Sequence, residues 1–192
     1  ERMRIVALAE PREDRRLATA AEHGLAPEQI FADWRGLLRA RPDAHAAIVA
    51  TGDTEHVEPA LAAIAAGYHL LLEKPMALTA SQCEQINDAA SRAGRIVQIG
   101  FVHRYTAVGK LAKQVVDEGR LGQIYHAKAH LHIRRGVPGL GKWFTTKSVA
   151  GGGALIDVGV HLIDLALSTL GYPEVADVSG QVYSTFGRRM RG

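Results

Sequence analysis

Short apolar runs alternate with helical patterns along the N-terminal half of the sequence, and this alternation constrains the fold more than any other feature. Arg4–Glu10 and Ala46–Thr51 are apolar almost throughout, which is typical of strands buried in a parallel sheet. Strands that alternate with helices imply crossover connections, so the sequence predicts an α/β fold with a doubly wound parallel sheet. The helical pattern after each run ends at a glycine: Glu13–His23 before Gly24, and Asp53–Ala66 before Gly67.

The alternation continues to Phe101 and then changes character. The segments that follow the first two units are a strand at Tyr68–Glu73, a helix at Ser81–Arg92 stopped by Gly94, a strand at Ile96–Phe101 and a helix at Ala107–Glu118. The next segments are an alternating, antiparallel-like strand at Ile124–Ile133, an apolar helix at Ala154–Leu170 and an extended run at Val175–Phe186. We therefore predict a first domain over residues 1–120 and the opening of an α+β domain over 121–192, with its remaining strands missing.

Composition and charge exclude several classes of function. The net charge is +3, and the basic residues are not interleaved with aromatic residues, which make up 6% of the chain, so we expect no nucleic-acid partner. No apolar run approaches the roughly 20 residues of a membrane helix. Cys83 is the only cysteine, which excludes an internal disulfide and favours a reducing compartment such as the cytoplasm. Because the sequence starts at Glu1 without a methionine, a signal peptide is not excluded.

The strand that ends in Glu73-Lys74-Pro75 carries the first candidate site residue. Lys74 follows directly on the predicted strand, and ligands in open α/β folds bind at the carboxyl ends of the strands. A partly buried lysine can polarise or protonate an alkoxide, although a surface lysine before a helix has the same local pattern. We also expect the Lys74–Pro75 bond to be cis, because the lysine has to point back over the sheet edge.

The segment Gly151–Leu170 carries the strongest signal. Asp157 and His161 lie four residues apart and therefore share a helix face, in a helix so apolar that we expect it to be buried nearly all round. Buried ionisable groups are costly unless they are paired or functional, and a histidine beside a carboxylate is typical of a general acid or base. A structural Asp–His pair is the alternative, and for Asp164 the structural interpretation is preferred.

Glu10 lies where a dinucleotide-binding sheet places the carboxylate that bonds the adenosine ribose. That interpretation needs a strand and a glycine-rich turn before Glu1, because the sequence contains no GxGxxG. Glu10 favours NAD, whereas Arg12, Arg15 and Arg16 could accept the 2′-phosphate of NADP. His103, His130 and His132 lack the spacing of a metal site, so no metal is predicted.

Two motifs together resemble the glucose–fructose oxidoreductase / inositol dehydrogenase family (Gfo/Idh/MocA). These are Glu73-Lys74-Pro75-Met76-Ala77-Leu78-Thr79 and GGGALIDVGVHLIDLAL at Gly151–Leu167, supported by Thr51 to His56 and by Gln98–Phe101 with Arg104-Tyr105. The resemblance implies a Rossmann domain that binds NAD or NADP, followed by a domain with a large, mostly antiparallel sheet used for homo-oligomer contacts. It implies that Lys74, Asp157 and His161 are the active-site residues. It also implies that Thr51, His56, Glu73 and Arg104 lie near the cofactor, with Lys74.

This resemblance implies an oxidoreductase that moves hydride between a nicotinamide and a hydroxyl of a sugar, cyclitol or related polyol. We assign His161 as the general base, Lys74 as the group that stabilises the alkoxide, and Asp157 as a substrate hydrogen-bond partner. Two alternatives share the fold. One is a glycosidase that uses bound NAD for transient oxidation, and the other is a regulator that binds NAD(P) or sugar without turnover. Retention of all three residues argues against the regulator.

Overall fold

The computed structural model describes residues 3–40, 42–132, 145–146, 150 and 152–183. The regular elements in chain order are β1 (Leu8–Ala9), α1 (Glu13–His23), β2 (Ile30–Phe31), α2 (Trp34–Ala40), β3 (Ala46–Val49), α3 (Val57–Ala65), β4 (His69–Leu72), α4 (Ala80–Ala93), β5 (Val97–Ile99), α5 (Ala107–Asp117) and α6 (Val160–Thr169). Short 3₁₀ turns lie at Pro27–Gln29, Asp53–Glu55 and Val102–Tyr105, and a π-helical turn, Leu155–Gly159, leads directly into α6.

All strand pairings within the described residues are parallel, which confirms the predicted Rossmann-like α/β fold. β1 pairs with β2, and β3, β4 and β5 form a second sheet in that order. Main-chain hydrogen bonds continue the ladders past the strand ends, for example from Glu73 N–H to the Val49 carbonyl at 2.9 Å. These bonds align the ends of neighbouring strands. The carboxyl ends of β3, β4 and β5 therefore share one edge of the sheet.

The helix ends follow the glycines that the sequence singles out. α1 ends at Gly24 and α4 ends at Gly94, with φ of 63° and 61°, a left-handed conformation that costs glycine little. α4 begins where the Thr79 hydroxyl accepts a hydrogen bond from Gln82 N–H. The predicted helices at Ser81–Arg92 and Ala107–Glu118 are thus confirmed to within one residue.

The core lies between the second sheet and the helices α3 and α4. Ile64, Leu72 and Ile86 are at most 2% exposed, and each contributes about 1.5–3 kcal/mol by leaving water. The same cluster includes alanines from α3 and α4, whose small side chains let the helices lie close to the strands. This core fixes the sheet edge on which the candidate site is built.

The first two predicted strands are less buried than the sequence indicates. Only Leu8–Ala9 of Arg4–Glu10 is paired, because β2 offers a partner of two residues, and both Leu8 and Ala9 are half-buried. In β3, Ala46 is exposed and Ile48 is 50% exposed. Within the described residues, β1 and β3 each have a strand neighbour on one side only. The expectation that both are enclosed strands is therefore wrong for this part of the chain.

The second half differs from expectation in two ways. Residues 124–132 and 175–183 form no strand, since neither segment has a ladder partner among the described residues. Residue 133 and residues 184–186 of these predicted strands lie outside the described residues. The antiparallel sheet and the division at residue 120 therefore stay predictions.

The helix from 154 is not buried all round. Leu155 is 58% exposed and Ile163 is 51% exposed, because α6 packs with one side on α5 and on the 3₁₀ turn Val102–Tyr105. Asp164 is the buried residue of α6. None of the helices in the described part of the chain is both long and apolar enough for a membrane span.

Candidate active site

Lys74 lies at the carboxyl edge of the sheet, as predicted. β4 ends at Leu72, and Glu73 still bonds to β3, so Lys74 is the first residue free of the ladder. The Lys74–Pro75 peptide bond is cis, as predicted. The lysine side chain is 17% exposed, so its ammonium group is largely withdrawn from water.

The ammonium group of Lys74 contacts Asp157, 83 residues away in sequence. Nζ lies 3.2 Å from Asp157 Oδ1 and donates a second hydrogen bond of 3.2 Å to the Asp157 main-chain carbonyl. Asp157 occupies the π-helical turn Leu155–Gly159, and such wider turns often occur at functional sites. The Asp157 side chain is 35% exposed, which leaves carboxylate oxygen accessible for a ligand.

His161 lies in the first turn of α6, close to the Lys74–Asp157 pair. Burial lowers the pKa of His161, and the neighbouring His103 and Lys74 lower it further, whereas Asp157 and Glu73 act in the opposite direction. The imidazole is therefore neutral at neutral pH. Among the residues that the structure describes, no group hydrogen-bonds to the buried Nδ1 of His161. A neutral imidazole beside an ammonium group and a carboxylate can take up a proton from a bound hydroxyl.

Glu73 is held over Gly100 at the end of β5. The Glu73 carboxylate accepts a 3.2 Å hydrogen bond from Lys74 N–H. A Cβ on Gly100 would lie 3.0–3.2 Å from the Glu73 carboxyl atoms, so the glycine leaves the space that the carboxylate occupies. The side chain is exposed at the sheet edge, where the sequence predicts a cofactor contact.

Glu10 lies directly after β1, and its surroundings bear on the choice of cofactor. Its Oε1 accepts a 2.8 Å hydrogen bond from Arg12 N–H. The guanidinium group of Arg12 is directed to Asp14, at 2.6 and 3.1 Å. Arg16 donates to the main-chain carbonyls of Glu10 and Pro11. Neither arginine side chain pairs with the Glu10 carboxylate.

His56 connects two loops at the edge of the sheet. It is completely buried, with Nδ1 2.7 Å from the Pro75 carbonyl and Nε2 3.1 Å from the Thr51 carbonyl. The ring thereby fixes the chain directly after Lys74. The Thr51 hydroxyl donates to the Glu55 carbonyl at 3.1 Å. The cofactor roles of Thr51 and His56 stay predictions, and for His56 the structure adds a contact that supports the loop after Lys74.

Arg104 is brought to Asp164 rather than to the Lys74 group. Its Nε donates to Asp164 Oδ2 at 2.6 Å, and a second guanidinium nitrogen bonds Oδ1. The hydrogen bonds that Arg104 donates to Asp164 raise the pKa of Arg104. The guanidinium group also lies 5.6 Å from the ring centres of Phe101 and Tyr172. This partner gives Asp164 the structural environment that the sequence favours, while a cofactor contact of Arg104 stays a prediction.

The sequence interpretation missed His103 as a member of this site. Its ring lies edge to face against His161, with the centroids 4.9 Å apart and the planes at 87°. The sequence signal for His103 was its position between Phe101 and Arg104, two residues that already supported the family resemblance. In the described ranges, no cluster of three or more His, Cys, Asp or Glu side chains could hold a metal ion.

Known proteins resemble this chain along almost its whole length. D-glucoside 3-dehydrogenase of Escherichia coli (strain K12) is 34% identical over 96% of the chain and 52% of that protein. Inositol 2-dehydrogenase of Ralstonia nicotianae is 34% identical over 84% of the chain and 45% of that protein. A solved complex of levoglucosan dehydrogenase with NADH and levoglucosan superimposes with a TM-score of 0.70, at 29% identity over 88% of the chain and 45% of that structure. The chain thus spans about half the length of these proteins.

Two family profiles match the sequence. The profile of the oxidoreductase family with an NAD-binding Rossmann fold, GFO_IDH_MocA, matches residues 1–101. The profile of the GFO/IDH/MocA C-terminal domain matches residues 110–189. Parallel strands, the lysine at the sheet edge and the adjoining Asp157 and His161 agree with these matches. The chain belongs to the GFO/IDH/MocA oxidoreductase family.

Proposed function

We propose that the protein is a dehydrogenase that transfers hydride between NAD and a hydroxyl of a sugar, cyclitol or related polyol. The observation that carries this proposal is the placement of the Lys74 ammonium group on Asp157, next to the His161 imidazole, at the carboxyl edge of the sheet. The relatives named above act, by their names, on a glucoside, an inositol and levoglucosan, which all present secondary hydroxyl groups.

Alcohol oxidation divides into hydride loss from carbon and proton loss from oxygen. Bound nicotinamide supplies the acceptor for the hydride. His161 accepts the hydroxyl proton, since its lowered pKa keeps the imidazole neutral and ready to do so. Lys74 stabilises the negative charge that develops on the oxygen, because its side chain is only 17% exposed and little water screens the ammonium charge. A base in this position supplies about 10²–10⁴ in rate.

Asp157 orients both the lysine and the substrate. One carboxylate oxygen and the main-chain carbonyl hold Lys74 Nζ, which fixes the ammonium group before substrate binds. The side chain is one-third exposed and accepts a hydrogen bond from a neighbouring substrate hydroxyl. A polyol with adjacent hydroxyl groups satisfies Asp157 and His161 at once, which favours sugars and cyclitols over simple alcohols.

The strand ends fit a dinucleotide, and they favour NAD over NADP. Glu10 and Glu73 each follow a strand directly, and Gly100 leaves room for the Glu73 carboxylate at the sheet edge. The Glu10 carboxylate suits the two ribose hydroxyls of NAD and repels a 2′-phosphate. Arg12 is already directed to Asp14, so it offers little compensation.

Titration with NADH and NADPH tests the cofactor assignment. We expect tighter binding of NADH, and Glu10→Gln should narrow the difference by improving NADPH binding. A clear preference of the unmodified protein for NADPH would contradict the assignment. Arg12→Gln serves as the matched control, since loss of an arginine that is engaged by Asp14 should change NADPH binding little.

The test of the activity uses the full-length protein with NAD and a panel of a glucoside, levoglucosan and an inositol. We expect NADH formation in proportion to oxidised product. Release of free sugar from a glycoside without net NADH would instead identify an NAD-dependent glycosidase. Binding of NADH and sugar without any turnover would identify a regulator. Assembly as a homo-oligomer through the second-domain sheet and a cytoplasmic location are further proposals, which sedimentation and cell fractionation test.

A further inference from the structure

The dipeptide His103-Arg104 contacts α6 at two places one helical turn apart. The ring of His103 lies against the ring of His161, and the guanidinium group of Arg104 bonds Asp164, three residues further along. Residues three apart on a helix lie on the same face. The 3₁₀ turn Val102–Tyr105 therefore holds this face of α6, including the proposed base, against the end of β5.

Hydrogen bonds also fix the backbone of His103. The His103 carbonyl accepts a 2.8 Å hydrogen bond from the Thr106 hydroxyl and a 3.3 Å bond from Thr106 N–H. Gly109 packs against the same carbonyl so closely that a Cβ would overlap it. His103 thus keeps its position relative to His161 without relying on its own side chain.

The charged and titratable groups that act on the pKa of His161 lie in three segments. Asp157 lies on the preceding turn, Glu73 and Lys74 follow β4, and His103 lies in the 3₁₀ turn. Arg104 also lies in that turn, but Asp164 neutralises its charge. Lys74 and His103 oppose a proton on His161, whereas Asp157 and Glu73 favour one.

We propose that His103 is a positioning residue for the reaction, which holds the ring of His161 edge to face and keeps this base free of its proton. The inference rests on the proposed function of His161. The two ring centroids are 4.9 Å apart, so the electrostatic effect of His103 on His161 acts at short range. The lowered pKa of His161, with His103 as its largest electrostatic cause, agrees with this effect. After His161 has taken the proton of the substrate, the same effect helps it to release that proton.

Two substitutions separate the charge of His103 from its shape. His103→Gln removes the ionisable ring but stays polar, so the pKa of His161 should rise and the acidic limb of kcat should move to higher pH. Loss of the ring contact should also lower kcat on the pH plateau by up to about tenfold, a part of what a well-placed base supplies. His103→Phe retains an edge-to-face ring and should keep the plateau close to that of the unmodified protein. His23→Gln, an exposed histidine at the end of α1, is the control and should change neither quantity.

The experiment measures kcat against pH in the full-length protein with NAD, together with NMR titration of the His161 ring. An acidic limb and a His161 titration that stay unmoved in His103→Gln would overturn the proposal. The NMR titration needs no turnover, so it tests the effect of His103 on the pKa of His161 even if the protein oxidises no polyol. Conversely, normal turnover in His161→Ala would refute the proposed function while a shifted titration still supported that effect. Melting curves show whether each variant is folded.

Discussion

The ion pair of Arg104 and Asp164 allows a prediction of unequal costs for removing its two members. The Asp164 side chain is 6% exposed and that of Arg104 is 30% exposed. Arg104→Met leaves a buried carboxylate without its partner, whereas Asp164→Asn leaves a guanidinium group that water can still reach. We therefore expect the arginine substitution to be the more destabilising of the two.

The magnitudes follow from the burial of the group that stays behind. Removal of one member of a buried pair costs about 3–5 kcal/mol, which we assign to Arg104→Met. Asp164→Asn should cost about 1–3 kcal/mol, because the remaining cation is partly solvated. For a unit of about this size each kcal/mol lowers Tm by about 2–4 °C, so Arg104→Met should lower Tm by about 6–20 °C. The double variant Arg104→Met/Asp164→Asn should cost less than the sum of the two single substitutions, since no unpaired charge remains.

Thermal and urea unfolding of the four proteins measures these free energies. Lys113→Met is the matched control, because Lys113 forms an exposed pair with Asp117 on α5 and its loss should cost less than about 0.5 kcal/mol. A cost of Asp164→Asn equal to or larger than that of Arg104→Met would refute the reasoning from burial. Additive costs in the double variant would show that the two residues do not stabilise each other.

Three further predictions test other parts of the account. Gly109→Ala should destabilise the protein by about 1–3 kcal/mol in urea unfolding, because its Cβ would overlap the His103 carbonyl, whereas Gly153→Ala, with nothing within 4 Å, should stay near neutral. His56→Ala should cost about 1–3 kcal/mol, since it removes the ring that connects the buried Pro75 carbonyl with the loop of Thr51, and a melting temperature close to that of the unmodified protein would contradict this support. Activity should persist below pH 6.5, the ordinary pKa of histidine, and fall only as pH drops through the lowered pKa of His161; a pH–rate profile with its acidic limb above pH 6.5 would contradict this.

The sequence predicted the parts of the structure that depend on local pattern. Helix ends at Gly24 and Gly94, the parallel strands and the cis bond at Lys74–Pro75 were all predictable. The adjacency of Lys74 and Asp157 was inferred from a family motif. Their 3.2 Å contact depends on how the turn Leu155–Gly159 is placed against the sheet edge, and this tertiary arrangement cannot be derived from residue spacing.

Other features escaped prediction for physical reasons. β2 is two residues long, and α2 contains Gly36 in its interior, so neither gives a clear periodic signal. The burial of the helix from 154 was overestimated, because an apolar sequence shows what a helix can bury and not which neighbours cover it. His103 was missed because its partner His161 is 58 positions away and only packing brings the two rings together.

The most direct test of the central claim is the rate of a single turnover, followed by the absorbance of NADH, in the unmodified protein and in His161→Ala. The experiment uses the full-length protein with saturating NAD and a polyol that the unmodified protein oxidises. We expect His161→Ala to slow NADH formation by about 10²–10⁴, with NADH affinity and melting temperature nearly unchanged. Lys74→Met, which removes the charge and keeps similar volume, should slow the same step with the same controls. Near-normal turnover in His161→Ala would contradict its role as the base, and near-normal turnover in both variants would make the whole group structural.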